Sequence, residues 1–360
     1  MLVSLALGLA LGFSFPAAVE DPPPNRVVEV DVVDLIDRGA TNAGLPSLQV
    51  KHFLFTYRFA SPENRAKFLA SQARYEVQLG GACARMGPLS GRGSSKIYAL
   101  HDGRFYLFAS EACRSGFLKA PEKMLDRPDE RPKGDEAARA EGLKWIARAA
   151  DAHGGAERIA RVKALRWLVQ KPDGLRSNDP DESKLVVRFP YDLAHAQRWG
   201  KSSYGELVLN QDGWFRTGEQ SEPMAEVQRR ASWRRAQTLP IFALRQASRP
   251  GFLAVAGGEI ELRGRKLREV HTFVDGCAVT LGIDEKSGRI LLSRTRGRGP
   301  TQTLGTLEIR YDDFRSASGV VLPWHEEALF DGQPFAAASA RYTAIEVDPE
   351  LPPSVFARPE

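Results

Sequence analysis

The sequence predicts an α+β protein: a small duplicated β-hairpin/helix module followed by a curved antiparallel β-sheet, a half-barrel, with helices. Three observations carry that expectation. YRFASPENRAKFL, from Tyr57 to Leu69, and YLFASEACRSGFL, from Tyr106 to Leu118, agree at seven of thirteen positions without a gap, forty-nine residues apart. DRPDERPKGDE, after Leu125, is dense in proline and charge and has no apolar period, as a linker would be. From about residue 162 onward, short alternating runs such as ALRWLVQ, KLVVRF and TLEIRYDDF are separated by Gly, Asp, Asn and Pro, the texture of antiparallel meanders.

The expected order of elements begins with nineteen residues free of charge, ended abruptly by Glu20, Asp21 and three prolines. This is read as a signal peptide or N-terminal anchor (1–19), which makes the protein periplasmic or secreted. A tandem module follows over 20–126, the first copy at about 28–76 and the second at about 77–126. In each copy an alternating aromatic strand runs into a serine placed to cap a helix, Ser61 or Ser110, with Pro62 at the first helical position of the first copy. Asp102-Gly103 marks a two-residue hairpin turn in the second. Asn64 and Phe68, or Cys113 and Phe117, are four apart and share a helix face. Residues 127–134 are the linker, and 135–360 form the β domain. That domain opens with a helix whose buried face is expected at Leu143, Ile146 and Ala150, with Gly154-Gly155 as its stop. A helical break is expected over about 224–237.

With 42% hydrophobic and 26% charged residues the chain has enough apolar material for a sizeable core. Its net charge of +5 comes from basic and acidic residues mixed along the sequence, so no nucleic-acid partner is expected. Oligomeric state is left open by the sequence.

The second copy resembles the YHS domain, a cysteine-bearing module of the TRASH group found in heavy-metal handling proteins. The resemblance lies in Cys83-Ala84-Arg85-Met86, in Gly103 through Cys113, and in Phe117 with Pro121-Glu122-Lys123. Ala109 stands where the family usually has a further cysteine. By the same spacing the first copy has Asp34 at the place of Cys83 and Asn64 at the place of Cys113, which makes it a cysteine-free partner. The C-terminal two hundred residues resemble the LolA-like lipoprotein-carrier fold, through His153-Gly154-Gly155, Ile283-Asp284, Ile309 to Phe314 and Gly319 to Pro323. That resemblance implies an apolar-ligand or partner-binding β domain.

Only Cys83, Cys113 and Cys277 occur. A thiol near a helix N-terminus, as at Cys113, favours the thiolate and therefore soft metals. Cys83, Cys113 and the hairpin's His101 are the candidate metal ligands: two thiolates for copper as Cu(I), or a larger set for zinc. The alternative is a non-metal carrier or structural protein in which Cys83 and Cys113 form a disulfide. Cys277, in a strand-like run, is expected to be a small buried residue. Arg229-Arg230 and Arg234-Arg235 around Trp233 form a basic patch that suits first a solvated helix face, and otherwise an anionic headgroup or nucleic acid. Gly87 to Lys96 lacks the Gly-Lys-Ser/Thr triplet of a phosphate loop, and His325-Glu326-Glu327 lacks the second histidine of a zinc-protease helix. No catalytic residue and no organic cofactor is assigned.

Overall fold

A computed structural model describes residues 26–170 and 180–359, and the chain divides into two compact units, up to Gln72 and from Ala73. The segment read as a signal or anchor lies outside the described residues. Among those described, no helix is long and apolar enough to cross a membrane.

In the first unit the strand Phe55–Phe59 pairs with Leu45–His52 on one side and, in parallel, with Val27–Val28 on the other. Ser61 caps the helix Pro62–Ala70, its side chain accepting from Asn64 N. Phe68 packs on Tyr57 and Phe59, with ring centroids 4.6 and 5.2 Å away. All three rings are buried, which fixes the helix over the strand. A further helix, Val32–Arg38, is capped by Asp31 and ended by Gly39, whose φ of 69° suits a residue without Cβ.

The second unit opens with the same local arrangement. Strands Ser94–His101 and Arg104–Phe108 form a hairpin turned at Asp102 (φ 49°) and Gly103 (φ 66°), both in the left-handed region that a two-residue turn of this type requires. Ser110 caps the helix Glu111–Lys119, and Phe117 packs on Tyr106 and Phe108 at 5.6 and 5.1 Å.

The rest of the second unit is two antiparallel sheets with helices. One has seven strands, in the order Gln220–Pro223, Asp212–Thr217, Ser202–Leu209, Asp192–Trp199, Glu182–Arg188, Ala164–Gln170 and Ala344–Val347. The other runs Leu253–Leu262, Arg265–Val274, Cys277–Asp284, Ile290–Arg298, Leu304–Ala317, Val320–Phe330 and Gln333–Pro334, with Ala340–Arg341 paired on Val320–Phe330. Between sheets and helices lies one core that includes Trp167, Trp233, Phe242, Val270 and Leu281. The expected helical break is the helix Glu226–Gln237, followed by Pro240–Gln246.

The helix Glu136–Ala152 corrects one expectation. Leu143 is 47% exposed, and the buried stripe is Gly142, Ile146, Ala149 and Ala150. Gly142 rests against the Ala254 backbone, where a Cβ would come within 2.8 Å. At about 100° per residue that contact turns Leu143 away from the core. The motif at the end of this helix is a structural staple. His153 Nδ1–H donates to Val321 O (2.7 Å), His153 Nε2 accepts from Ile290 N (3.1 Å), and Val321 N donates back to His153 O (3.0 Å). Gly154 has φ 112° and lies directly against Gly319 O, so any side chain there would collide with backbone.

Segment 127–134 has no helix or strand, but it is not loose at Asp129: that carboxylate pairs with Arg234 (2.7 Å) and Arg296 (3.0 Å) and accepts from Ala278 N (2.9 Å).

Candidate functional site

The chemistry of the second unit concentrates where the hairpin, its helix and the segment before the hairpin meet. Cys83 forms a parallel bridge with Leu107 and is 1% exposed; Cys113 is the third residue of the 111–119 helix and half-buried. The two side chains belong to one packed cluster although thirty residues separate them, close enough for each to shift the other's acidity, and both are free thiols, with no bridge between them. Hydrophobic neighbours Tyr106, Phe108, Phe117 and Met124 enclose the pair.

The two sulfurs are not equivalent. Burial pushes the Cys83 thiol up, only partly offset by the backbone N–H groups of Ala109 and Met86, and the neighbouring Cys113 pushes it further. Cys113 is shifted the other way, first by the Ser110 hydroxyl and then, against some desolvation, by Cys83 and Arg85. The arrangement therefore favours a Cys113 thiolate beside a Cys83 thiol, with the Arg85 guanidinium as counter-charge.

Arg85 reaches Cys113 because Gly116, one turn along the helix, has no side chain: a Cβ there would lie 2.9 Å from Arg85 Nε. Neither Arg85 nor Gly116 was given a role from sequence, although Arg85 stands two residues after Cys83. His101 is elsewhere engaged. Its Nε2 lies 3.3 Å from the Asp102 carboxylate and its ring stands edge-on to Phe117 at 5.8 Å. Among the described residues no group of three or more His, Cys, Asp or Glu side chains is placed to hold a metal ion. Cys277 is buried at the start of its strand, and burial pushes its thiol up to about 11, as an inert core thiol requires.

The first unit shows what occupies the same place without sulfur, and here the sequence spacing misleads. Asp31 N donates to Asn42 O (2.8 Å) as Cys83 N donates to Gly91 O (3.0 Å), and Gly44 N donates to Glu29 O (2.7 Å) as Gly93 N donates to Gly81 O (2.8 Å). Asp31 accepts from Ala60 N, while Cys83 is approached by Ala109 N–H. Asp31, not Asp34, is thus the counterpart of Cys83, and the equal-spacing expectation is corrected. Asn64 Nδ2 donates to Asp31 Oδ2 at 2.8 Å and to Asp34 Oδ1 at 2.7 Å, with Arg38 donating to Asn64 Oδ1 at 3.1 Å. A polar pair with an arginine takes the place of the thiol pair with an arginine.

Another polar cluster of the second unit is structural. Glu206, buried on the inner face of the seven-stranded sheet, accepts from Ser232 Oγ (2.6 Å) and Arg235 (3.0 Å), both on the 226–237 helix. Desolvation opposes its charge, yet Arg235, His195 and Ser232 hold the carboxyl down to about 2. His195 bonds Ser183 through Nε2 (3.3 Å), but its Nδ1 is 3.9 Å from Glu206, too far for a hydrogen bond. The cluster clamps helix to sheet.

No protein-family model and no curated protein matches this chain. Among solved structures it is similar to a DUF1329 family protein from Desulfovibrio piger, at 10% identity, TM-score 0.38, covering 61% of this chain and 97% of that one. It is also similar to a LolA superfamily protein from Nitrosomonas europaea, at 10% identity, TM-score 0.33, covering 60% of this chain and 97% of the other.

Proposed function

We propose that this is an exported protein in which Cys83 and Cys113 bind one soft monovalent metal ion, Cu(I), on a YHS-like module joined to a LolA-like β domain that holds an apolar ligand or a partner. The observation that carries the proposal is the packing of Cys83 and Cys113 into one cluster, where each shifts the other's acidity in the opposite direction. Cu(I) accepts two thiolates without further ligands, whereas Zn(II) takes four, and no third ligand stands with this pair among the described residues. Two thiolates around a monovalent ion carry one net negative charge. Arg85 beside Cys113 supplies the compensating positive charge, and the N–H groups of Ala109 and Met86 stabilise the buried Cys83 sulfur once its proton has left. His101 has no part in a two-coordinate site. The matching hydrogen bonds around Asp31 and Cys83 support an internal duplication in which one copy carries the thiols.

The test is copper stoichiometry of the full chain under reducing conditions, by competition with a chromophoric Cu(I) chelator, alongside a free-thiol count on protein kept from reductant. One equivalent that disappears in Cys83→Ala/Cys113→Ala and persists in His101→Ala is the expected result. Copper uptake no greater than that of the double variant overturns the metal site; if only one of three thiols is then free in untreated protein, the non-metal carrier with a disulfide is the correct description.

A further inference from the structure

Apart from the thiol pair, the second unit contains a cleft of about 1180 Å³. Its walls come from segments far apart in sequence: the loop after Cys83 (Met86, Leu89), the 226–237 helix (Val227, Trp233), the turn at Tyr191 and the strand start at Leu304. Six arginines line it, at 127, 229, 230, 234, 296 and 298, against three aspartates, at 126, 129 and 275, leaving a surplus of three positive charges. The surplus is not spread evenly. Arg234, Arg296 and Arg298 are held by Asp129 and Asp126, and Arg230 pairs with Glu226. Arg229 donates to a neutral backbone carbonyl, Asn210 O at 3.0 Å, and is paired with no carboxylate among the described residues.

The apolar part of the lining includes an aromatic ring. Trp233 is 8% exposed and lines the cleft, wedged edge-on between Tyr191 and Phe242 at 6.0 and 5.8 Å, yet its Nε1–H is enclosed without a hydrogen-bond partner. That nitrogen is sealed from solvent, so it is the ring of Trp233 that faces the cleft. Apolar walls and an arginine without a carboxylate partner together call for one kind of molecule: an anion with an apolar body.

We infer that this cleft binds an amphiphilic organic anion, a single phosphate or carboxylate head joined to an apolar tail, with the head at Arg229 and the tail along the Trp233 ring, Leu89, Val227 and Leu304. The inference does not depend on the thiols, and Cys83→Ala/Cys113→Ala protein should bind the anion equally well.

The experiment follows the six indole N–H resonances of ¹⁵N-labelled full-length protein, assigning the Trp233 signal by its loss in Trp233→Phe, during titration with dodecyl phosphate, inorganic phosphate and the uncharged detergent dodecyl maltoside. Dodecyl phosphate should move the Trp233 signal saturably. Arg229→Gln/Arg230→Gln should raise the midpoint about tenfold, the equivalent of one lost charge-assisted bond at about 1.4 kcal/mol. Inorganic phosphate should need at least a hundredfold more. A Trp233 signal unmoved by dodecyl phosphate overturns the site. An equal response to the maltoside overturns the anionic head, and an equal response to free phosphate overturns the apolar body.

Discussion

His153 makes the β domain acid-labile by a calculable amount. Both ring nitrogens are used in the neutral form, Nδ1–H donating to Val321 O and Nε2 accepting from Ile290 N–H, so a second ring proton would face a donor. Burial, with Arg289 adding to it against the pull of the Val321 carbonyl, lowers the imidazole from 6.5 to about 4. In the unfolded chain the ring takes up its proton near 6.5, and in the native chain not until about 4. Between those values the unfolded state binds more protons. This residue's contribution is therefore complete above pH 6.5 and lost as pH falls toward 4, at up to about 1.4 kcal/mol per pH unit and about 3 kcal/mol in all. His153→Gln keeps an amide donor and an acceptor but does not titrate. Urea unfolding of the two proteins from pH 4 to 8 isolates the term, because every other carboxylate and histidine is common to both. The stability difference should be flat above pH 7 and should shift toward the variant by about 3 kcal/mol by pH 4. Parallel profiles over the whole range would refute the buried neutral ring.

Glu326 should behave oppositely: burial raises its carboxyl from 4.5 to about 7 although the Tyr342 hydroxyl opposes the shift, so its contribution is present below 4.5 and lost as pH rises through 7. Glu326→Gln should then be more stable than the parent by about 2–3 kcal/mol at pH 8 and nearly equal at pH 4.5, by the same urea measurement; a difference independent of pH contradicts the assignment. Brief alkylation of the reduced native protein with iodoacetamide, read by peptide mass spectrometry, should modify Cys113 first and leave Cys277 untouched until denaturant is added, given the opposite shifts of the two thiols. Arg85→Met should slow the Cys113 reaction several-fold, and an unchanged rate would remove Arg85 from the site.

What could be read in advance was local and periodic. Asp102-Gly103 between aromatic runs specifies its hairpin, and Ser61 and Ser110 specify helix starts, because backbone sterics and one side-chain bond decide these features. Leu143 was misjudged because helical spacing alone cannot say which neighbouring stripe faces inward; the close approach of Gly142 to Ala254 decides it. The carrier-like motifs quoted from sequence do meet, since His153 bonds Val321 and Ile290 and stands edge-on to Phe314 at 5.8 Å, but what they build is a core joint. The cleft at Trp233 was visible only as a basic patch, since its walls are assembled by tertiary contacts between distant segments. The Asp31 equivalence was hidden by three residues. The first unit places the helix Val32–Arg38 where the second has the shorter turn 84–90, so a match of constant spacing stays in register after the turn and slips before it.

That slip makes a constructive test of the paired-thiol site possible. In the first unit the backbone donors that would stabilise a buried anionic sulfur are already in place: Val33 N at 2.9 Å, Asp34 N at 3.2 Å and Ala60 N at 2.6 Å from the Asp31 carboxylate. Asn64 stands third in its helix, with its N–H on the Ser61 hydroxyl at 3.2 Å, as Cys113 N–H is on Ser110 at 3.2 Å. Arg38 faces position 64 as Arg85 faces position 113. Replacing Asp31 removes the cap of the 32–38 helix, at a cost of about 1 kcal/mol. Losing the Asn64 amide leaves Asp34 with Asn42 and Arg38, each at 2.8 Å. In a chain lacking the native pair, Asp31→Cys/Asn64→Cys should therefore restore one equivalent of Cu(I), while Asp34→Cys/Asn64→Cys, which follows the sequence spacing, should restore less. If the first variant folds, shows both new thiols free, and still takes up no copper, then adjacency, backbone donors and a nearby guanidinium are not sufficient, and the proposed basis of metal binding at Cys83 and Cys113 fails with it.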